Sequence, residues 1–248
     1  MGSPRLRAKL DERLRTAKAQ KIATLSGIVR PPPGAAMLYF GSGSDYIAAY
    51  FSRLGFGEAG TFAVGIFDTE RVSSGYQFIE MRGTELPFPD GRFDFIISNH
   101  VIKHFAAREQ RTHLAEIGRC PRDNGELYIA VPNRWGLIDA HHRLPLLGWL
   151  PRQLAHLYLR LTRKADSYDW YPLSRRDILR LLRQQGFQAE DVTLEAIRLA
   201  GETGLLRLVS GLPDWSLRLL RPVVPTLFFV CTKGESGVRK PIGQIGGD

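Results

Sequence analysis

Short apolar runs that end in glycine or in polar side chains recur along this chain, and segments with helical periodicity separate them. The runs predict strands at 36–40, 62–67, 76–81, 93–101, 126–131, 192–198 and 226–232. Strands that alternate with helices favour a parallel sheet with helices on both faces, so the fold class is α/β. Ligands of such sheets bind at the carboxyl ends of the strands, where the strand order reverses.

Helical periodicity predicts the other elements of this pattern. The predicted helices cover 4–29, 46–54, 107–119, 174–185 and 203–220. Ser174 is the predicted N-cap of the fourth helix, because a serine hydroxyl accepts hydrogen bonds from the first backbone N–H groups of a helix. Gly186 ends that helix, since glycine readily adopts the left-handed conformation at a helix C-terminus.

Charge and cysteine usage limit the partners and the compartment. The net charge of +9 and the pI near 9.8 favour an acidic partner. Ten basic and four acidic residues lie between positions 134 and 186, although a solvated helical surface would explain that excess equally well. No apolar run approaches the ~18 residues of a membrane span. The widely separated Cys120 and Cys231 predict a reduced, cytoplasmic compartment.

A glycine-rich loop and an acidic residue predict a nucleoside-containing ligand. Gly41 and Gly43 stand between the first strand and the next helix, where a ligand can approach the backbone and the N–H groups of the helix. Asp68 follows the second strand, where a carboxylate can accept hydrogen bonds from both ribose hydroxyls. A tight turn and a surface aspartate are the alternative interpretation of the same residues.

Three stretches together carry a resemblance to a known family. They are MLYFGSGSD (37–45), LPFPDGRFD (86–94) and SNHVIKH (98–104), and residues 120–125 stand where that family has a turn before its fifth strand. On these motifs the chain resembles the class I S-adenosylmethionine-dependent methyltransferases of the type 11 branch. The resemblance implies a Rossmann-like, seven-stranded, mostly parallel sheet with an antiparallel last strand and a helical cap inserted after the fifth strand.

The resemblance also implies a domain organisation and a cofactor site for S-adenosylmethionine. The domains would be a helical extension (1–35), a methyltransferase domain (36–233) with a substrate-recognition insertion (134–173), and a disordered tail (234–248). The methionine part of the cofactor would lie on the glycine loop, and its ribose on Asp68. The full cofactor-binding set is Tyr39, Gly41, Ser42, Gly43, Asp45, Asp68, Thr84, Glu85, Leu86, Asn99 and His100.

Three positions depart from the family pattern. Tyr39 stands where the family has aspartate, Asp45 replaces the third glycine, and Lys103 replaces a glutamate. One hypothesis is that Asp45 restores the negative charge lost at Tyr39. The alternative is a weakened or inactive cofactor site.

Histidines and aromatic residues are the candidates for the acceptor side. Methyl transfer to a hydroxyl needs positioning and a general base, for which His100, His104 and His141 are the catalytic candidates. A structural role is the alternative for His104. His100 and His104 have a spacing that a metal could use, but no third ligand has clear spacing, so no metal is predicted. The predicted substrate residues are Asn133, Arg134, His142, Tyr168 and Tyr171.

The segment 150–164 predicts an amphipathic helix with a basic stripe. Its apolar face would comprise Leu150, Leu154, Leu157, Tyr158 and Leu161, and the stripe Arg152, His156, Arg160, Arg163 and Lys164. The helix would be an ordinary cap, would lie peripherally on the anionic inner membrane face, or would bind a phosphate-bearing lipid carrier. The segment is similar to type 11 proteins of polysaccharide or glycolipid biosynthesis.

These observations predict an S-adenosylmethionine-dependent methyltransferase that O-methylates a small-molecule, glycan or lipid-linked saccharide acceptor. A catalytically degenerate binding or scaffold subunit is one alternative, motivated by Tyr39, Asp45 and Lys103. An RNA methyltransferase is another, motivated by the charge. Nucleic acid is disfavoured because the sequence has no separate RNA-binding module and no aromatic-interleaved basic strand.

Overall fold

The computed structural model describes residues 4–41, 46–65, 75–81, 83–139, 142–200 and 211–234. Within these ranges seven strands form one sheet: β1 Met37–Phe40, β2 Thr61–Gly65, β3 Gln77–Glu80, β4 Phe93–Asn99, β5 Pro121–Pro132, β6 Phe187–Asp191 and β7 Thr226–Lys233. The strand order is β3-β2-β1-β4-β5-β7-β6. β7 is antiparallel to both of its neighbours and the other pairs are parallel. The predicted fold class is confirmed.

Helices cover both faces of this sheet. They are α1 Pro4–Ser26, α2 Tyr46–Phe51, α3 Gly57–Gly60, α4 Ala107–Arg119, α5 Arg152–Leu161, α6 Arg175–Gln184, α7 Thr193–Ala200 and α8 Asp214–Leu220. A π-helical turn, Ser52–Phe56, joins α2 to α3, and Gly55 within it has a φ of 143°. The helix predicted to reach residue 54 therefore ends its regular α-helical part at Phe51.

Two apolar clusters show which helices pack on which face. On one face, Ile117 of α4 and Ile178 of α6 pack with the side chains that β1, β4 and β5 direct to that face. On the other face, Ile22 of α1, Phe51 of α2 and Ala196 of α7 pack in the second cluster. Burial on both faces explains why the apolar runs 37–40 of β1, 95–97 of β4 and 127–131 of β5 are continuous instead of alternating.

The strand predicted at 192–198 is wrong. The strand in this region is β6, and residues 193–200 form α7. Val192, Thr193 and Ile197 are β-branched residues, which favoured a strand. The carboxylate of Asp191 accepts a hydrogen bond from the Thr193 N–H (3.1 Å), a contact that starts a helix instead. Of the helix predicted at 203–220, residues 203–210 lie outside the described ranges, and α8 covers Asp214–Leu220.

The insertion after β5 has a small core of its own. Leu147, in a 3₁₀ turn before α5, packs with Ala155 and Leu159 of α5 and with Tyr168. The predicted apolar face of α5 is only partly correct, because the side chains of Leu154, Leu157 and Leu161 are 51%, 47% and 73% exposed. These three leucines therefore form an exposed apolar row on α5, separate from the buried Ala155 and Leu159.

Candidate active site

The strand order reverses between β1 and β4, and the candidate site lies at the carboxyl ends of these two strands. From β1 the chain moves outward through β2 to β3, and it then returns to place β4 on the other side of β1. Phe40, the last residue of β1, pairs with Ser98 of β4, so Gly41 and Asn99 follow on adjacent strands. A crevice at such a reversal is where ligands of α/β sheets bind.

Gly41 has to be glycine at this point. Its φ is 77°, and a Cβ built on it would lie 2.2 Å from Cγ2 of Val101. Its N–H donates a hydrogen bond to the Val64 carbonyl of β2 (2.9 Å). The turn after β1 therefore lies directly against the turn after β4. The structure thus places Gly41, Asn99 and His100 at neighbouring strand ends.

The segment 86–94, which carries the strongest family resemblance, is held by α4. Glu116 accepts a hydrogen bond from the Leu86 N–H (2.8 Å). Arg119 donates to the carbonyls of Leu86 (2.7 Å) and Phe88 (2.5 Å) and pairs with Asp90 (3.0 Å). These contacts lower the pKa of Glu116, chiefly through its hydrogen bond with Arg119. The motif therefore acts as a scaffold for the edge of the site.

The predicted adenine-side residues differ in exposure. Leu86 is buried in the core and its N–H is bonded to Glu116, whereas Thr84 is half-buried and Glu85 is exposed. Thr84 and Glu85 are thus the residues of this trio that remain accessible to a ligand. Ser42, Gly43, Asp45 and Asp68 of the predicted cofactor set lie outside the described residues, as does the candidate base His141.

Tyr39 is buried in the core. Its side chain is 2% exposed and packs in the cluster that contains α1 and α2. Its neighbour on the same face, Tyr128, is also buried, and burial raises the pKa of Tyr128. The position that carries aspartate in the family is therefore filled by an aromatic core side chain.

His100 directly follows β4 and has a left-handed backbone conformation, with a φ of 61°. Its N–H donates to the Ala130 carbonyl of β5 (2.9 Å). Burial lowers the pKa of His100 to about 3, and the charges of Lys103, Lys18, His104 and Lys21 lower it further. The imidazole is therefore neutral at neutral pH, and three lysines make its surroundings electropositive.

Lys103 lies in the 3₁₀ turn Ile102–His104 directly after the strand end. The lysine is 8% exposed, and its Nζ lies 3.2 Å from the ring centroid of Trp170 in the insertion. Burial lowers its pKa to about 8, although the charge of Asp139 opposes that shift. The backbone N–H of Tyr171 donates to the Lys103 carbonyl (2.9 Å), which fixes the insertion to the strand end.

Trp170 contacts Lys103 and lies close to two histidine rings. The ring centroids of His104 and His142 lie 5.8 and 5.3 Å from that of Trp170. His142 is oriented by Asp139, whose carboxylate lies 3.1 Å from Nδ1 and also accepts the His142 N–H (2.7 Å). The side chain of His104 is exposed, so the structural role considered for it is not supported by burial.

The other predicted substrate residues have different environments. Asn133 is held by the fold, because its amide donates to the carbonyls of Pro222 (2.8 Å) and Val224 (2.9 Å) and accepts the Trp135 N–H (3.0 Å). Arg134 is exposed. Tyr168 is 5% exposed and burial raises its pKa. Tyr171 is half-buried beneath the guanidinium of Arg152, 4.5 Å from its ring centroid.

Sequence reasoning missed several residues of this site. Lys103 was singled out only as a departure from the family, and Asp139, Lys18 and Lys21 were not assigned to the site. The signal for Lys103 was its position within the SNHVIKH stretch, three residues after His100. No local signal marks Trp170 as its partner, since 67 positions separate the two residues.

The comparisons with known proteins agree with this geometry. Residues 38–129 match the type 11 family model described as a methyltransferase domain. No curated protein matches the chain significantly. Residues 38–129 therefore carry a methyltransferase domain, and the sheet order is that of the class I S-adenosylmethionine-dependent methyltransferase fold. The protein is a methyltransferase, and its cofactor is S-adenosylmethionine.

Solved structures confirm the fold of this methyltransferase. An S-adenosylmethionine-dependent methyltransferase from Mesorhizobium loti has a TM-score of 0.56 at 11% identity, over 88% of this chain and 98% of that one. One from Archaeoglobus fulgidus has a TM-score of 0.55 at 13% identity, over 90% and 94%. The [4+2]-cyclase SpnF also matches, with a TM-score of 0.53 at 15% identity over 90% and 81%. The fold alone therefore does not fix the reaction.

The described residues fit S-adenosylmethionine at the strand reversal. Gly41 offers a side-chain-free turn there, and Asn99 and His100 face it from β4. Asn99 and the backbone at Gly41 would hold the cofactor, and Asp68 would hold its ribose. When bound, the cofactor supplies an electrophilic methyl group on a positively charged sulfur.

Proposed function

We propose that this methyltransferase methylates a hydroxyl group of a small-molecule, glycan or lipid-linked saccharide acceptor. Two observations at the carboxyl end of β4 carry the proposal: the charge of Lys103 acts on His100, and the Lys103 ammonium lies against Trp170 of the insertion. Trp170 and Tyr171 offer ring faces on which a sugar can pack, and the lysines favour an acceptor that carries negative charge.

The two pKa values suggest different roles for His100 and Lys103. A general base works best when its pKa lies near the operating pH. The pKa of His100, about 3, is too low for that role, so the neutral imidazole accepts a hydrogen bond and orients the acceptor hydroxyl. The pKa of Lys103, about 8, suits the amine to accept the hydroxyl proton. This assignment replaces His100 with Lys103 as the general base and keeps His100 as a positioning residue.

We also propose that α5 contacts an anionic membrane surface. Leu154, Leu157 and Leu161 form an exposed apolar row, and exposed Arg160, Arg163 and Lys164 lie beside it. Such a helix lies in the interface of a bilayer and does not cross it. None of the helices in the described ranges is long and apolar enough to span a membrane. Contact with the surface would bring a lipid-linked acceptor to the insertion.

A catalytically inactive binding subunit is the second candidate function. The burial of Tyr39 favours it, because an aromatic core residue cannot supply the carboxylate that the family uses near the cofactor. An active methyltransferase binds the cofactor and transfers its methyl group, whereas an inactive binding subunit transfers no methyl group.

Methyl transfer to fractionated acceptors tests the proposed function. The protein is incubated with S-adenosylmethionine labelled in the methyl group and with separate lipid, oligosaccharide and RNA fractions of a cell extract. We expect base-stable label in the lipid or oligosaccharide fraction, as for a methyl ether. Label confined to RNA, or no label in any fraction despite cofactor binding, would contradict the proposal.

A further inference from the structure

A cleft of about 490 Å³ opens beside the carboxyl end of β5, away from the cofactor crevice. Four arginines line it together with Asn133 and Trp135: Arg175 and Arg176 from the start of α6, Arg218 from α8, and Arg221 from the turn that follows α8. We call it the arginine cleft. Its volume lies in the range of ~300–1,000 Å³ that is usual for small-ligand sites.

The positive charge of the arginine cleft is only partly balanced. Asp191 accepts hydrogen bonds from Arg175 Nε (2.7 Å) and from Arg221, so one carboxylate serves two guanidinium groups. Burial alone would raise the pKa of Asp191, but these bonds and those from Thr193 hold it below its ordinary value. No carboxylate among the described side chains pairs with the exposed Arg176 or Arg218.

One nitrogen of Arg221, an arginine that lines the cleft, lacks a hydrogen-bond partner among the described residues. Nε of Arg221 is buried, and no described group lies within hydrogen-bond distance of it. A buried donor without an acceptor costs free energy, which a ligand oxygen would recover. Asn133 does not supply that acceptor: its Nδ2 donates to the Pro222 and Val224 carbonyls, and its Oδ1 accepts the Trp135 N–H.

The arginine cleft and the methyl-transfer side share one edge of the sheet. Asn133 follows β5, which pairs with β4, so the cleft begins one strand beyond His100. The segment from Tyr171 to Arg175 joins the two places, because Tyr171 binds the Lys103 carbonyl and Arg175 lines the cleft. Four residues of chain reach at most about 14 Å, so the two places are close enough for one extended ligand.

We propose that the arginine cleft binds a phosphate or diphosphate group, and that this group belongs to the acceptor. Arginine forks bind phosphate oxygens in pairs, and a second phosphate would use the remaining guanidinium groups. The assignment of the phosphate to the acceptor rests on the proposed function; the binding of phosphate does not. The phosphate would hold the acceptor at one end while its hydroxyl lies beside His100.

Calorimetric titration with inorganic pyrophosphate tests the site. The variant Arg176→Gln/Arg218→Gln removes two exposed guanidinium groups and leaves the Asp191 ion pairs intact. The control Arg108→Gln/Arg111→Gln removes the same charge from the exposed face of α4. We expect the cleft variant to weaken pyrophosphate binding by about tenfold or more and the control by less than about twofold. Equal losses in both variants, or no binding to the wild type at millimolar pyrophosphate, would overturn the proposal.

Two further measurements identify the source of the phosphate and separate this proposal from the proposed function. The first is sedimentation with phosphatidylcholine vesicles that contain or lack phosphatidic acid. If phosphatidic acid increases vesicle binding of the wild type and of the control but not of the cleft variant, the phosphate belongs to a lipid headgroup. If the wild type binds pyrophosphate but phosphatidic acid does not increase its vesicle binding, the acceptor is a water-soluble phosphorylated molecule. S-adenosylhomocysteine affinity should be unchanged in the cleft variant. A wild type that binds pyrophosphate but not S-adenosylhomocysteine would contradict the proposed function and leave the arginine cleft supported.

Discussion

Lys103 occupies a position where related sequences carry glutamate, and the tertiary structure gives it a partner that a glutamate would not have. Its ammonium lies over the face of Trp170, where the ring quadrupole attracts a cation. The same burial makes the neutral amine accessible near neutral pH. The lysine at this position departs from the family motif, and we propose that it supplies an amine that can act as a base at the strand end.

Substitution of Lys103 tests its role as the base. We expect Lys103→Met, which keeps the length of the side chain, to lower kcat by about 10²-fold or more while the affinity for S-adenosylhomocysteine changes little. Because the amine acts in its unprotonated form, the wild-type rate should rise with pH through about 8. The residual rate of the variant should lack that rise. A pH–rate profile of the same shape in both proteins would exclude Lys103 as the base.

His113 gives a stability test that is independent of catalysis. Its ring is fully buried in α4 near those of Phe40 and Phe105, and neither nitrogen has a hydrogen-bond partner among the described residues. We expect His113→Leu to raise the free energy of unfolding by about 1–2 kcal/mol, because two orphaned polar atoms leave the core. Urea denaturation measures this change. The exposed His104→Leu is the matched control and should change little.

The pH dependence of stability follows from the same burial. Burial lowers the pKa of His113 to about 3, from 6.5 in the unfolded chain. As the pH falls from 6.5 towards 3, the unfolded state binds a proton that the folded state does not bind, so stability falls. The stabilising effect of His113→Leu should therefore grow between pH 6.5 and 4. A difference that is independent of pH would show that the ring is solvated or hydrogen-bonded in solution.

At the scale of single elements, α5 carries apolar side chains on two faces. Ala155 and Leu159 face the core of the insertion, whereas Leu157 and Leu161 face outward. We expect Leu157→Gln/Leu161→Gln to weaken binding to phosphatidylglycerol-containing vesicles by about tenfold or more, since each leucine buried in the interface contributes apolar free energy. Leu14→Gln/Leu199→Gln, at exposed leucines of α1 and α7, is the control. Equal sedimentation of the wild type, the α5 variant and the control with the vesicles would contradict membrane contact through α5.

Elements with clear local signals were predictable from the sequence, and those that depend on tertiary contacts were not. α4 was predicted with its observed bounds, and Ser174 caps α6 through the Asp177 N–H (3.2 Å) as expected. α7 was mistaken for a strand because its β-branched composition outweighed a capping contact that forms only in the folded chain. The convergence of Gly41 with Asn99 followed from the strand-reversal rule. The contact between Lys103 and Trp170 could not be predicted in this way, because it depends on the conformation of the insertion.

At the scale of the whole molecule, positive charge collects along the edge of the sheet that holds the site. Lys18 and Lys21 of α1 act on His100 from one side, and Lys103 acts from the strand end. The arginine cleft continues the same edge beyond β5. Such a field favours an anionic acceptor and opposes a cationic cofactor, so we propose that the carboxylates of Asp45 and Asp68 provide the negative charge that cofactor binding needs.

The measurement that tests the central claim most directly is a calorimetric titration with S-adenosylhomocysteine. It compares the wild type with Asp68→Ala and with Asp166→Ala, an exposed aspartate of the insertion. We expect micromolar binding by the wild type and by Asp166→Ala, and a loss of about tenfold or more in Asp68→Ala, because the carboxylate's hydrogen bonds to the ribose are removed. No binding by the wild type at millimolar ligand, or full affinity in Asp68→Ala, would contradict a cofactor site at the β1–β4 reversal.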